Sequence, residues 1–470
     1  MKINIIISCD YRIRNKIQYG FTLLLHPWRV EFQFTPTIAP DCVNIFYGRQ
    51  RPSTPKKAFW FAASQEFLTR ITEKSLPDVS NAGWIEFSNR KLPKLFPLPP
   101  IEAGPAIDFD IIAATFILAS NYQDLISLER DEFDRLRAMD SLQDKLGVLE
   151  IPVVNYYSRF LRQRLEESSG TLIEEKKYGE AECGLALSHD IDYTSSLNYR
   201  MIRRNIIGHG LINREHLYPQ ERLRKLGYPL LALFGYDPPR EGMLFLRNIE
   251  KSSNLRSTFF IKSGATSKED VAYDFNSGRM REYIKSLSDS GFEIGIHPSM
   301  TTYIDSEKFI GEKSRLEDAL GRRISSVRQH YLKFTAGKTV GIWENAGLQY
   351  DSTLGFSRKV GFRNSVAFPF PLYNFAEDRV SSVIEVPLMI MDGTVVDSGR
   401  FETGRALDKM TTLVEEVKKS GGAASILFHN SIADPIDFPG YKVIYSKILD
   451  AAKSNGFFVG SVKAVAEHFN

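Results

Sequence analysis

Cysteine is scarce in this chain of 470 residues: Cys9, Cys42 and Cys183 are the whole complement. The count is odd, no C-x-x-C pair occurs and no zinc-ribbon spacing appears, which argues against a disulfide framework. Long apolar runs are missing as well. No stretch reaches the roughly 18 consecutive apolar residues of a spanning helix. The apolar run in MKINIIISCDYRIR is too short for a secretory leader and reads better as a first strand, so a cytoplasmic protein is expected. An excess of one charge is also lacking. Lys and Arg number 60 against 57 Asp and Glu, and the net charge of +3 is too small to point to nucleic acid. Repeats and low-complexity tracts are absent. What is present is ordinary globular material, 43% hydrophobic and 25% charged, enough for a large core. The length suggests two or three domains.

Texture divides the chain. Residues 1–170 carry strand-like pieces (Ile3–Ser8, Val30–Phe34, Cys42–Tyr47, Ala58–Ala62), Pro-rich breaks including Pro93–Pro105, and helical patterns over Asp108–Ile126 and Val153–Leu165. No chemical constellation appears there, and these residues read as a smaller α/β accessory domain. Residues 171–182 lie in a polar, charged stretch and are expected to link it to residues 183–470. From Cys183 onward short apolar runs alternate with helical ones: Gly184–Ser188, Ser257–Ile261, Phe292–Ile296, Ser325–Val327, Val383–Ile390, Ala423–Phe428 and Phe457–Val459. The helices between them include Met280–Ser290, Ser306–Ala319, Lys338–Asn345, Ala406–Ser420 and Tyr441–Ser454. Such alternation implies a parallel sheet or a (β/α) barrel. One stretch is unusual: Tyr199–Lys225 holds seven Arg or Lys against Glu215 and Glu221. It reads either as a solvated helical insertion or as a basic lid that meets an anionic glycan or a lipid-linked phosphate.

Strong polar groups fall at the C-terminal ends of the apolar runs. They are His189-Asp190-Ile191-Asp192, His297, Arg328-Gln329-His330, Met391-Asp392 and His429-Asn430. In a parallel barrel these ends converge on one face, where active sites sit. A single histidine at a strand end is usually structural, but several acids and imidazoles together are hard to assign to packing. Asp190 and Asp192, two apart in an extended segment, point to the same side. Two close carboxylates repel and raise one pKa; a divalent cation on one of them relieves this and leaves the other as a base. A neutral imidazole from His297 completes a nitrogen–oxygen set that zinc accepts.

These motifs carry a resemblance. LALSHDIDY (Leu185–Tyr193), STFFI (Ser257–Ile261), GFEIGIHPS (Gly291–Ser299), VRQHY (Val327–Tyr331), YDSTLGF (Tyr350–Phe356) and ILFHN (Ile426–Asn430) stand in the order and spacing of the NodB-type polysaccharide deacetylases. The chain from Cys183 nearly to its end resembles that family of carbohydrate esterases. The first 170 residues resemble uncharacterised regions attached to some of these deacetylases. The resemblance implies a partial (β/α)7 barrel of the NodB type. It implies a general base at Asp190, metal ligands at Asp192 and His297, an Arg328 that holds Asp190 by a charge-assisted bond, and a general acid at His429. The family's second metal histidine would fall at Thr301, a poor zinc ligand. His330, at a neighbouring strand end, is expected on geometric grounds, not by family rule, to supply the third ligand. A weak two-ligand site, a metal-free hydrolase and a dead site stay open. His189 should point away from Asp190 and be structural. Among the aromatic residues Tyr193, Tyr303, Tyr331 and Trp343, Tyr331 is the one expected to meet sugar.

The implied activity is hydrolysis of N-acetyl groups on an amino-sugar glycan, or on a lipid- or nucleotide-linked precursor in cell-surface polysaccharide synthesis, with a divalent ion, zinc first. The oxyanion would be held by the metal and a backbone N–H near Tyr331. Two other classes remain: an inactive glycan-binding protein on the same scaffold, and a hydrolase of small non-sugar amides.

Overall fold

The computed structural model describes residues 1–51, 58–80, 82–99, 107–212, 218–267, 269–271, 273, 275–397 and 403–470. Parts of the expected Pro93–Pro105 break and of the Tyr199–Lys225 basic stretch lie outside the described residues.

The N-terminal region opens with four parallel strands, β1 (Lys2–Ser8), β2 (Glu31–Phe34), β3 (Val43–Gly48) and β4 (Ala58–Ala62), in the spatial order β2-β1-β3-β4. The helix Tyr11–Leu25 crosses from β1 to β2, capped by the Asp10 carboxylate, which accepts from Arg12 N. Its Ile13, Ile17, Phe21 and Leu24 are buried at helical spacing. A hairpin, β5 (Gly83–Phe87) with β6 (Arg90–Lys94), follows. Pro93 sits inside β6, where a two-stranded ribbon leaves one edge free of partners and tolerates a residue without an N–H. The helical pattern expected over Asp108–Ile126 is broken into Ile111–Ala119 and Tyr122–Ile126, because Asn121 adopts a left-handed backbone with φ of 66°.

The larger sheet is built from β7 (Gly184–Ile191), β8 (Thr258–Ile261), β9 (Glu293–Ile296), β10 (Ser326–Val327), β11 (Tyr350–Asp351), β12 (Phe370–Asn374), β13 (Arg379–Glu385), β14 (Leu388–Met391), β15 (Ala423–Leu427) and β16 (Phe458–Gly460). Its path runs β12-β13-β11-β10-β9-β8-β7-β15-β14, all parallel except the antiparallel β12. Near the two ends of this path stand β13 and β14, which are joined in the chain by Val386 and Pro387 alone. The expected single run Val383–Ile390 is thus bent at Pro387. At the bend Val386 N donates to Asp351 O at 2.8 Å, and Pro387 O accepts from Ser425 N at 2.7 Å. One dipeptide therefore touches the neighbours on both sides, and the sheet curls into a barrel wall in which β13 and β14 share a place beside β7, β8, β9, β10, β11 and β15. Every residue of β7 is buried, as a strand covered on both faces requires. β8 pairs with the second half of β7 and β16 with the first. Among the described residues, no helix is long and apolar enough to cross a membrane.

The buried core runs without interruption from the first sheet into the barrel. Tyr19 Oη donates to Pro371 O at 2.9 Å, and Asn155 clasps Ala367 through both backbone groups, at 2.8 and 3.0 Å. The segment 171–182, expected as a linker, is held on both sides: Arg29 N donates to Glu174 O, Lys177 N to Asn470 O, and Tyr178 is fully buried. Asp124 and Arg363, both buried, form an ion pair at 2.5 Å between the helix Tyr122–Ile126 and the loop before β12. Replacing Asp124 by Ala leaves a guanidinium in the core short of its carboxylate, although Arg363 Nη1 still donates to Gly355 O at 3.3 Å. Urea unfolding of Asp124→Ala is expected to show a loss of ~3–5 kcal/mol; a loss below ~1 kcal/mol would show that the pair does not tie these elements together.

Candidate active site

The C-terminal ends of the barrel strands surround a cavity of about 300 Å³. Asp190 and Asp192 reach it from the end of β7, His297 from β9, His330 and Tyr331 from the turn after β10, and His429 from the end of β15. The strand ends place them there because parallel order points every C-terminus the same way. Gly242 adds a local condition: a Cβ on it would lie 1.8 Å from Asn430 O, so only glycine lets the helix Pro238–Ser252 back onto the residue beside His429.

Asp192, His297 and His330 offer ligand atoms within 4.8 Å of one another. The two imidazoles are oriented from behind. His297 Nδ1 donates to Arg328 O at 2.6 Å, and His330 Nδ1 to Asp270 Oδ1 at 2.7 Å. Both partners can only accept, so each Nδ1 carries the proton. In the neutral rings each Nε2 then presents a lone pair, and both face Asp192 Oδ1, at 3.4 and 3.5 Å. Burial lowers the His330 pKa, Lys262 lowers it further, and the ring ends at about 4 despite Asp270, hence neutral near pH 7. Three electron pairs aimed at one point with no proton among them make a seat for a cation. An imidazole with a carboxylate behind it is a recurrent form of metal ligand. The donor set fits a divalent ion of the zinc type.

Lys262 is the residue that the sequence reading missed. It follows β8 directly, is buried, and places Nζ 3.1 Å from Asp192 Oδ1. Burial would raise the Asp192 pKa, but the Lys262 ammonium leads the interactions that hold it well below the usual carboxylate range. Asp270 was also missed. It accepts from Met300 N, Thr266 N and Ser267 N as well as His330, and these bonds outweigh its burial and keep it ionised. Its position in a loop gave no pattern to read.

Thr301 stands aside from this group, with Oγ1 2.6 Å from Thr266 Oγ1. Arg328 is fully buried, but the charge-assisted bond expected to Asp190 is not formed. Nη1 stays 3.9 Å from Asp190 Oδ1, while Nη2 donates to Ser188 Oγ at 2.9 Å and Ser352 Oγ at 3.0 Å. The barrel interior also holds the buried acids Asp351 and Glu385; burial lowers the Arg328 pKa, and Asp190, Asp351 and Glu385 offset part of that. Asp190 Oδ1, although buried, makes no hydrogen bond, and Oδ2 lies 3.7 Å from His297 Nε2. His189 turns away, donating from Nδ1 to Phe428 O at 2.9 Å and meeting Glu250 with Nε2 at 2.6 Å.

His429 is steered by Asp392, the strand-end acid of β14. Nδ1 donates to Asp392 Oδ1 and the backbone N to Oδ2, both at 2.7 Å. Its Nε2 faces Asp192 Oδ2 at 3.8 Å. Burial would lower the His429 pKa, but Asp392, Asp192 and Asp190 outweigh it and push the ring up to about 10. A cation on Asp192 would draw that value back toward neutrality.

Of the four aromatic residues, Tyr193 and Tyr331 line the cavity, whereas Trp343 and Tyr303 are buried in packing. Tyr331 packs at a tilt against His330 at 4.5 Å and Phe133 at 4.8 Å between ring centroids. Its φ is 59° and that of Leu332 is 53°. Two successive side-chain-bearing residues in the left-handed region cost ~1–3 kcal/mol each and mark a constrained turn. Among the described residues Tyr331 N–H donates to nothing.

Residues 5–169 match a family of unknown function (DUF7033). No curated protein matches the chain. Among solved structures, a candidate polysaccharide deacetylase from Mycobacterium smegmatis is 16% identical, with 61% of this chain and 90% of that one aligned at a TM-score of 0.41. Puue allantoinase is 14% identical over 62% and 91%, also at 0.41. A CE4 family pseudoenzyme from Bacillus anthracis is 12% identical over 61% and 66%, at 0.31. At these values the chemistry has to be read from this chain's own geometry.

Two outcomes follow. Metal analysis after zinc loading and gel filtration is expected to find one ion per chain in the parent and in Thr301→Ala, and well below one in His297→Ala and His330→Ala; equal loading of all four would remove the seat from these residues. In metal-free protein the His429 ring, followed by NMR, is expected to titrate far above the ordinary ~6.5, and Asp392→Asn to lower it. A folded-state pKa raised in this way stabilises fully below ~6.5 and is lost as pH rises through about 10. Parent stability should therefore decline over that window more steeply than that of Asp392→Asn.

Proposed function

We propose that this chain is a metal-assisted hydrolase that removes N-acetyl groups from an amino sugar. The observation that carries the reading is the convergence of Asp192, His297 and His330 on one point, flanked by an unbonded carboxylate in Asp190 and a carboxylate-steered imidazole in His429. Asp192, His297 and His330 would hold the ion, zinc being the best fit to two imidazoles and a carboxylate. When bound, such an ion supplies electrostatic activation of water and of the amide carbonyl.

The rest falls to the chain. Asp190, with no hydrogen bond on Oδ1, is free to take the proton of the attacking water. Arg328, beyond bonding distance, places positive charge behind Asp190. The Tyr331 N–H is available to the tetrahedral oxyanion, and the strained turn fixes its direction. His429, held protonated by Asp392, gives its proton to the departing amine. Tyr331 and Tyr193 offer ring faces to a sugar.

A cavity of about 300 Å³ lies at the small end of the ~300–1,000 Å³ range of ligand sites. It suits one N-acetylated ring, at a chain end or on a lipid- or nucleotide-linked precursor inside the cell, better than the middle of a polymer. The same cavity size favours, as a second reading, a compact non-sugar amide.

Zinc-loaded protein is to be assayed for acetate release from free and nucleotide-linked N-acetylhexosamines. Turnover is expected, with kcat lowered ~10²-fold or more in Asp190→Asn and in His429→Ala. An Asp190→Asn protein with parental turnover would overturn the scheme. Binding of these sugars without release of acetate would instead support a glycan-binding protein.

A further inference from the structure

The insertion between β7 and the helix Pro238–Ser252 is built inside out. Its helix Pro219–Leu233 turns polar groups toward the barrel: Lys225, which is buried, reaches Asp434 Oδ2 and Asp437 Oδ1, both at 2.6 Å, and Tyr228 Oη donates to Asp434 Oδ1 at 3.0 Å. The opposite face carries Leu223, Leu226, Leu230 and Leu233, three, four and three residues apart, followed by Phe234. Leu223 is 72% exposed, Leu230 60%, Leu233 69% and Phe234 83%. The neighbouring segment Arg204–Leu211 exposes Ile206, Ile207 and Leu211. A helix on a water-facing surface shows the reverse pattern, and an apolar stripe of this extent marks an interaction surface.

Charge decides between occupants. Arg224, on the same helix, and Arg203, next to the segment Arg204–Leu211, are exposed. The carboxylates described among residues 199–240 are Glu221 and Asp237, and both accept from backbone N–H groups, those of Tyr218 and Ser196, at 2.8 Å. A second copy of the chain, meeting the stripe about a two-fold axis, would bring these arginines toward their own copies. An apolar helix face fringed by arginine fits the boundary of a bilayer that carries anionic headgroups.

Position adds a consequence. The inner side of the same insertion supplies Met201, Arg204 and Tyr228 to the wall of the active-site cavity. We infer that the helix Pro219–Leu233 and the segment Arg204–Leu211 dock this protein on an anionic membrane surface, with the cavity mouth at headgroup level. This inference does not depend on the hydrolase reading, since docking is measured without turnover.

The test is sedimentation of the full chain with vesicles of phosphatidylcholine alone and of phosphatidylcholine mixed with phosphatidylglycerol. Binding is expected to the mixed vesicles only and to weaken at about 0.5 M salt. The triple variant Leu223→Ser, Leu230→Ser, Leu233→Ser should partition at least about tenfold less, with an unchanged melting temperature because these side chains are exposed. Arg224→Glu should lose most of the preference for anionic vesicles. Three results would overturn the inference: no binding of the parent, equal binding of the triple variant, or a parent dimer in analytical ultracentrifugation that the triple variant abolishes with no vesicle binding by either.

Discussion

Asp192 Oδ1 is the point on which the site depends. Two imidazole nitrogens and one ammonium are gathered around a single carboxylate oxygen, each within 3.5 Å. The imidazoles are denied their own protons on that side because Arg328 O and Asp270 have already claimed the other nitrogen. The resulting excess of electron density has to be answered by positive charge. Lys262 answers part of it, and because it shares the oxygen with any incoming ion, ion and ammonium act as competitors for one seat. Affinity for the ion is therefore set by a balance inside the cavity as well as by the donor set.

That arrangement rests on the curvature of the sheet. His297 and His330 leave neighbouring strands, and the carbonyl that orients one belongs to Arg328, two residues before the other. β14 and β7 flank β15, so that Asp392 orients His429 from one side while Asp192 faces it from the other. A flat sheet with the same sequence order would spread these groups along an edge. The N-terminal region takes part through Arg135, which donates to Tyr331 O at 2.7 Å and so braces the constrained turn.

Much of this was legible because parallel strands announce their ends. The residues at the ends of β7, β9, β10 and β15 were polar where the runs before them were apolar, and the structure brings Asp190, Asp192, His297, His330 and His429 to one cavity. The orienting groups were harder to see. Asp270 lies in a loop with no periodicity, and Lys262 looks like any solvated lysine after a strand; burial is a tertiary fact. Arg328 was read as a clamp on Asp190, but the sequence did not reveal that Asp351 and Glu385 would share the barrel interior with it. In the N-terminal region the helix Tyr11–Leu25 was passed over because Arg12, Arg14 and Lys16 interleave its buried positions. The break at Asn121 depended on a single left-handed residue.

The turn at Tyr331 and Leu332 has a consequence for how such a chain changes over time. Glycine in place of Tyr331 would relieve backbone strain there, whereas Leu332 is buried against Leu388 and Leu427 and its side chain is needed for packing. The same relief would free the adjacent imidazole to wander. Selection for a relaxed backbone and selection for a sharply aimed side chain therefore pull in opposite directions at Tyr331, and the strained residue survives only as long as the second pressure is the stronger.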